Sequence, residues 1–151
     1  DAFGFMAVGL YAVLYIPLGY FLTKGISASQ QADYVRECLN LLHATGAKVV
    51  AFTCDGPPVN LNTLKLLGAN ISYPNMVSKF KNPADNTDKS VILDACHMLK
   101  LHRNAWGKLQ HMYNENNEVK YFYHGFHFSD LLLRKTITCI IICFDSLLKV
   151  N

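Results

Sequence analysis

The sequence predicts an α/β domain in which helices flank a mixed β-sheet, and three observations support this prediction. Residues 48–54 and 90–93 are short apolar runs rich in β-forming residues, and an aspartate follows each run. Each aspartate leads into a segment with helical spacing, and a strand, turn and helix that repeat imply a parallel pair joined by a crossover. Residues 2–22 supply two more extended runs, so the sheet is expected to contain antiparallel pairing as well.

The composition excludes a disordered chain and leaves the kind of partner open. Of the 151 residues, 51% are hydrophobic and 17% are charged, which is enough apolar material for one folded core. A formal net charge of +3 permits a polyanionic partner without predicting one. Five irregularly spaced cysteines and the lack of a recognisable secretory signal favour a reducing intracellular compartment.

The uncharged segment at residues 2–22 has two interpretations, a membrane helix and a β-hairpin. It is nearly long enough to cross a bilayer as a helix. Glycine and proline interrupt it, and its tyrosines and β-branched residues fit strands. We therefore expect two antiparallel strands, at residues 3–14 and 15–22, and no membrane partner. The apolar run at residues 137–144 is too short to span and is expected to be a strand or an exposed tail.

Two helices are expected before residue 70. Ser27 or Ser29 can cap the first, and Gly46 stops it. Asn60 or Asn62 can cap the second, which Gly68 closes. The first helix is indicated by apolar residues at helical spacing, namely Ala32, Val35, Cys38 or Leu39, and Leu42.

The second half of the chain is predicted in less detail. Residues 72–89 have the proline, asparagine and aspartate content of a long surface loop. A third helix is expected to begin at His97 or Met98 and to end near residue 110, and residues 114–118 form a polar turn.

Asp55 and Asp94 are the first candidates for chemistry, because each follows a predicted parallel strand. Active sites of open α/β sheets lie beyond the carboxyl ends of the strands. Carboxylate oxygens suit Mg²⁺, and two such ions can stabilise both oxygens of a phosphodiester displacement. The alternative is that each aspartate caps the helix after it or shapes the turn.

The third predicted helix adds basic candidates. His97 follows Asp94 by three residues, and Lys100 and Arg103 lie one turn apart on the same helix. That face could contact a phosphate backbone, and the alternative is an ordinary solvated basic face.

Two further patterns are weak. A set of two histidines and two cysteines, His124, His127, Cys139 and Cys143, superficially resembles a zinc site, but the cysteines lie in an apolar run where burial as small hydrophobes is commoner. Cys54 has no histidine base identified beside it, so no thiol nucleophile is proposed. Neither glycine-rich phosphate motif is present.

Four segments, taken in order, resemble P-element DNA transposases and their animal relatives that carry an N-terminal THAP zinc finger. The segments are IPLGYFL at residues 16–22, KVVAFTCDG at 48–56, KLLG at 65–68 and LDACHMLKLHRN at 93–104. The resemblance covers residues 1–110, with a weaker continuation to about residue 123.

This resemblance implies an incomplete ribonuclease H-like fold and a divalent-metal site. In such transposases three carboxylates bind Mg²⁺ for DNA cleavage and strand transfer, and Asp55 matches the second of them. The first carboxylate belongs on a first strand upstream of Asp1. The absence of that strand is expected to leave the neighbouring strands without a partner and to reduce stability. Asp94 and His97 match an Asp-x-x-His segment that lies beside the metal ligands and supports the site.

The resemblance also implies a domain boundary and a set of partners. Residues 1–110 are expected to be the partial ribonuclease H-like domain, and residues 111–151 the start of a GTP-binding insertion, opening near 120–123, with a divergent or truncated tail. The third carboxylate follows that insertion in the family. The expected partners are transposon-end DNA and possible further copies of the chain, in the nucleus.

The chain alone is therefore predicted to be an inactive transposase fragment, because one aspartate cannot hold two metal ions. The alternative is a non-catalytic DNA- or protein-interaction module derived from a transposase.

Overall fold

Among the described residues, six strands form one mixed sheet, and the strand with the highest residue numbers occupies an inner position in it. The computed structural model describes residues 2–11, 13–109, 111–113, 116–121 and 138–144. The sheet order is β2-β1-β8-β3-β5-β4, and β6 and β7 form a separate two-stranded sheet. In chain order the elements are β1 (Ala2–Gly9), β2 (Tyr15–Leu22), α1 (Ala28–Ala44), β3 (Val49–Cys54), α2 (Pro58–Leu67), β4 (Lys79–Lys81), β5 (Asp88–Leu93), α3 (Ala95–Leu109), β6 (His111–Tyr113), β7 (Val119–Tyr121) and β8 (Thr138–Phe144).

The predicted hairpin at the start of the chain is confirmed, although its first strand ends at Gly9 rather than at residue 14. β1 pairs antiparallel with β2, and alternate residues of β1 face the core, where Phe3 and Phe5 are buried. Phe21 of β2 stacks on Tyr34 of α1 with ring centroids 4.4 Å apart, so the hairpin packs on that helix. Within the described ranges, no helix is long and apolar enough to cross a bilayer.

Helix α1 begins where the sequence predicts. The Ser27 hydroxyl oxygen accepts a hydrogen bond from the backbone N–H of Gln30, and the Gln30 side chain accepts one from the backbone N–H of Ser27. The helix ends before Gly46, which has a φ of 79°. Its buried face carries the predicted apolar residues Ala32, Val35 and Leu39.

The parallel pair that the sequence predicts is formed by β3 and β5. Their register aligns Phe52 with Val91, and Ile142 of β8 lies on the other side of Phe52. Residues paired in register share one face of the sheet, and these three side chains are buried together. This row is the centre of the core that supports the carboxyl ends of β3 and β5.

Strand β8 lies between β1 and β3, parallel to β1 and antiparallel to β3. The expectation that the strands at this place have no neighbour is therefore wrong, because β8 completes their backbone hydrogen bonding. Of the two interpretations of residues 137–144, the strand is correct for Thr138–Phe144, and Ile142 is fully buried. The sheet thus draws on residues on both sides of the predicted boundary at residue 110.

The predicted cap of α2 is wrong. The N-cap residue is Pro57, and Pro58 is the first helical residue, a position that suits proline because its ring presets the backbone and no N–H is needed there. Asn60 lies in the first turn of the helix and is buried, whereas Asn62 is exposed. Gly68 closes the helix as predicted, with a φ of 108°.

Residues 72–89 are not only a loop, because they contain β4 and the start of β5. β4 pairs antiparallel with β5, and Phe80 of β4 packs edge-on against Phe52 with centroids 5.8 Å apart. Lys89 is buried, and its Nζ donates to the backbone oxygen of Val49 at 2.8 Å. The polar composition of this segment therefore concealed β4, which Phe80 anchors in the core, and the start of β5, where Lys89 is buried.

Helix α3 begins at Ala95, earlier than the predicted start at His97 or Met98. β6 and β7 pair antiparallel around the predicted polar turn, a hairpin that the sequence did not predict.

Candidate active site

Asp55 and Asp94 lie side by side at one edge of the sheet. Cys54 and Leu93 are partners in the parallel register, so the two aspartates directly follow paired residues. The backbone N–H of Asp94 donates to the backbone oxygen of Cys54 at 2.9 Å, which fixes the two strand ends together. Both side chains therefore stand beyond the carboxyl ends of parallel strands, as the sequence predicts.

The Asp55 side chain is buried, with an exposed fraction of 7% for the residue. Asn60 Nδ2 donates to Asp55 Oδ1 and also lies 3.3 Å from the backbone oxygen of Asp55. The other carboxylate oxygen, Oδ2, lies 3.9 Å from His97 Nδ1. One oxygen is thus tethered inside the protein, and the second faces the first turn of α3.

Burial raises the pKa of the Asp55 carboxyl above its ordinary value. The nearby Asp94 acts in the same direction, whereas the His97 ring and the hydrogen bond from Asn60 act against it and favour the charged form. A carboxylate that is costly to desolvate is therefore kept in place by neighbours that stabilise its charge.

Asp94 serves as a helix cap. Its Oδ1 accepts from the backbone N–H of Cys96 at 2.9 Å and lies 3.4 Å from that of His97. The capping interpretation that the sequence left open describes this residue. Capping also orients the first turn of α3 so that His97 faces Asp55.

Helix α3 approaches the turn after β3 closely. A Cβ atom at Gly56 would lie 3.1 Å from Met98 Sδ and 3.2 Å from Leu101 Cδ1, which is tighter than ordinary van der Waals contact. Glycine at this position therefore lets α3 pack over the turn that carries Asp55.

The predicted basic residues lie further along α3. Lys100 is exposed, one turn beyond His97. Arg103 is half-buried, and its Nη2 donates to Asn104 Oδ1 at 3.3 Å. Of the sequence candidates, Asp55, Asp94 and His97 come together, and the two basic residues extend from them along the helix.

A buried polar network beside Asp55 was missed by the sequence analysis. Gln31 Nε2 of α1 donates to Asn60 Oδ1 at 2.6 Å, and Thr63 Oγ1 lies 3.1 Å from Gln31 Oε1. All three side chains belong to residues that are 1% exposed. The helical positions of these residues could have indicated the network. Asn60 and Thr63 lie on the same helical face as Leu64, and Gln31 is one turn from Val35.

The described residues supply the right kind of ligand atom for a divalent cation, but they bring too few such atoms together. Carboxylate oxygen is the ligand that Mg²⁺ prefers, and Asp55 offers one such oxygen toward His97. Asp94 is engaged in capping, and no group of three or more candidate ligands occurs among the described residues.

The weak sequence candidates add nothing here. His124 and His127 lie outside the described residues, as do the side chains of Cys139 and Cys143 in β8. Burial raises the pKa of the Cys54 thiol to about 12, with the Asp55 charge acting in the same direction, so this thiol stays protonated near neutral pH.

Comparison with known proteins identifies one domain type and one relative. Residues 1–68 match the TNP-like, RNase H N-terminal domain. The human protein DNA transposase THAP9 is 33% identical over 106 residues, which are 70% of this chain and 12% of that relative. No solved structure matches the chain. The α/β fold class, a mixed sheet with helices, is confirmed, and the ribonuclease H-like assignment is confirmed for residues 1–68.

Proposed function

Because the chain carries part of a ribonuclease H-like domain of the transposase type, we propose that it contributes Asp55 to a metal site for DNA cleavage and strand transfer. The observation that supports this role is the Asp55 carboxylate at the carboxyl end of β3, with Oδ1 tethered by Asn60 and Oδ2 on the side of His97. When bound, Mg²⁺ ions stabilise the attacking and leaving oxygens of the phosphodiester. Asp94 and His97 support the site by capping α3 and by facing the carboxylate.

The chain alone is proposed to be inactive, because one carboxylate cannot hold the pair of ions that this chemistry needs. Purified chain should not nick supercoiled DNA when Mg²⁺ is added. Magnesium-dependent nicking that disappears in the Asp55→Ala variant would contradict this proposal.

DNA is the proposed partner, and α3 is the proposed contact. Lys100 and Arg103 would bind phosphate oxygens, so their replacement by alanine should weaken binding to transposon-end DNA and reduce its dependence on salt. GTP binding by residues beyond 110, association between copies and a nuclear location are proposed on the family resemblance alone.

A second candidate is a non-catalytic DNA- or protein-interaction module. The capping role of Asp94 and the lack of a three-ligand group among the described residues favour it. The two candidates differ in metal dependence, because the module should bind DNA equally well with and without a divalent cation.

The metal role is tested by titrating the chain with Mn²⁺, which binds oxygen ligands and broadens nearby NMR signals. We expect the backbone amides of Gly56 and His97 to broaden first in the unmodified chain. The Asp55→Asn variant should lose this effect. The Asp33→Asn variant should keep it, because the Asp33 side chain is 69% exposed and lies on α1. Equal broadening in all three chains, or none in the unmodified chain, would refute the proposal.

A further inference from the structure

Three buried side chains connect helix α1 to Asp55 through a continuous series of hydrogen bonds, which we call the amide relay. It consists of Gln31 on α1 and of Asn60 and Thr63 on α2, and it ends at the Asp55 carboxylate. Each of the three relay residues is 1% exposed. No buried side-chain nitrogen or oxygen in the described part of the chain lacks a partner, so every buried polar atom of the relay has at least one hydrogen bond.

When it is ionised, the Asp55 carboxylate fixes the direction of both amide hydrogen bonds in the relay. A carboxylate only accepts hydrogen bonds, so Asn60 must turn its NH₂ group to Asp55 and its carbonyl to Gln31. Gln31 must then give its own NH₂ group to Asn60, which leaves its carbonyl for the Thr63 hydroxyl. The single hydroxyl hydrogen of Thr63 has two competing acceptors, the backbone oxygens of Val59 at 2.9 Å and of Ala28 at 3.2 Å. The essential members are therefore the two amides.

The relay joins elements that are far apart in the chain, since Gln31 and Asn60 are separated by 29 residues. Leaving a buried amide without a partner costs more free energy than one hydrogen bond contributes, so neither amide can turn over without loss. The hydrogen bond from Asn60 therefore restricts how the Asp55 carboxylate can turn. Its remaining oxygen, Oδ2, is then directed to the side of His97.

We propose that Asn60 and Gln31 are positioning residues, which hold the Asp55 carboxylate by one oxygen and present the other for its function. The purpose of this positioning rests on the proposed metal role of Asp55. The hydrogen bonds of the relay can be tested separately from that role. The two amides contact neither DNA nor metal in this scheme, and they act only through Asp55.

The test reverses the direction of the relay. In the Gln31→Glu variant, carboxylates on both sides of Asn60 compete for its one NH₂ group, so the folding equilibrium constant should fall by at least about 30-fold. The Asp55→Asn variant should change it by less than about 5-fold, because asparagine can also accept from Asn60. In the double variant Gln31→Glu/Asp55→Asn, Asn60 can donate to the carboxylate introduced on α1, while the amide introduced after β3 donates to Asn60.

The double variant should therefore recover to within about 5-fold of Asp55→Asn in urea unfolding, a rescue that independent structural damage does not give. Gln30→Glu is the matched control, because Gln30 is exposed in the same turn of α1 and its replacement adds the same charge near the helix N-terminus. It should show no coupling to Asp55→Asn. A Gln31→Glu chain that does not fold, together with a double variant that does, also supports the relay.

A double variant no more stable than the two single effects predict would overturn the inference. The Mn²⁺ titration separates this failure from failure of the proposed function. Rescue without Mn²⁺ binding to the unmodified chain would keep the relay and refute the metal role. Mn²⁺ binding at Asp55 without rescue would do the reverse.

Discussion

The carboxyl ends of β3 and β5 carry the same residue type but use it differently. Asp94 lies in its own helix terminus, where its carboxylate accepts from the backbone of the next residues. Asp55 is buried, and its hydrogen-bond donor is the side chain of Asn60, five residues further on and supported in turn by Gln31 of another helix. One aspartate thus serves local structure, and the other is held by tertiary structure.

The difference teaches that the free-energy cost of burying a carboxylate separates a residue that tertiary structure must hold from one that caps its own helix. A cap stabilises a helix by about 1 kcal/mol and needs no distant support. Burial of Asp55 opposes its ionisation, and three separate elements supply the groups around it, namely α1, α2 and α3. Burying a carboxylate in this way costs free energy that its partners must offset, and this supports the proposed role of Asp55 in a metal site.

The largest expected effect comes from β8, which is hydrogen-bonded to β3 and not to β5. Ile142→Asp places a charge in the fully buried row beside Phe52 and should destabilise the chain by about 4 kcal/mol in urea unfolding. Ile92→Asp is the control, because Ile92 is 52% exposed on β5, and it should cost less than about 1 kcal/mol. Equal effects of the two substitutions would mean that β8 does not fill this position.

The next effect tests how strongly Asp55 depends on the side chain that donates to it. Asn60→Leu removes the donor to Asp55 and the acceptor of Gln31, so it should cost about 3 kcal/mol of unfolding free energy. Asn62→Leu, an exposed change of the same kind on the same helix, should cost less than about 0.5 kcal/mol. A loss below about 1 kcal/mol for Asn60→Leu would show that Asp55 does not depend on this amide.

Loss of the helix cap at Asp94 should reduce stability less than loss of Asn60. Asp94→Ala removes the acceptor for the backbone N–H of Cys96 and should reduce stability by about 1 kcal/mol. Asp94→Ser should restore most of this loss, since a hydroxyl can also cap. Failure of serine to restore stability would indicate that the charge of Asp94, rather than its capping, matters.

The smallest effect is a dependence on pH with a defined sign. The pKa of Asp55 is raised by burial, so the folded chain holds this proton more tightly than the unfolded chain does. The contribution of Asp55 to stability is therefore greatest below its ordinary pKa of 3.8 and is lost as the pH rises through its folded-state value. Replacing it by asparagine should make the chain gain stability relative to the unmodified one as the pH rises from acidic values to neutrality.

Asp85 provides the opposite sign for comparison. The hydrogen bond from the Thr87 side chain lowers the pKa of Asp85, so its contribution is lost as the pH falls through the lowered value. Urea unfolding of Asp55→Asn and Asp85→Asn across this pH range should give slopes of opposite sign relative to the unmodified chain. Parallel slopes would contradict the burial of Asp55.

Local patterns predicted much of this fold. The two strands ending before Asp55 and Asp94, the cap at Ser27 and the stop at Gly68 depend on neighbours in sequence, and the structure contains all of them. The position of β8 depends on pairing with residues that are distant in the chain, which no local pattern specifies. For the same reason, the sequence predicted which aspartates follow the strands. It did not predict that Asp55 is held by side chains of α2 and α1.

The relay escaped prediction for a different physical reason. Periodicity analysis looks for apolar residues, whereas Gln31 and Asn60 are polar side chains buried on the apolar faces of their helices. Their partners are each other and Asp55, so their burial becomes favourable only when α1, α2 and β3 are together. Proline at positions 57 and 58 could have indicated that the helix begins before Asn60.

The most direct test of the account is an NMR measurement of scalar coupling across the hydrogen bond from Asn60 Nδ2 to the carboxyl carbon of Asp55. We predict a coupling between these two side chains at neutral pH, and for Asp94 a coupling to the backbone nitrogen of Cys96 instead. An Asn60 side-chain amide that exchanges freely with water and shows no coupling to Asp55 would contradict the claim that this carboxylate is held in place from α2.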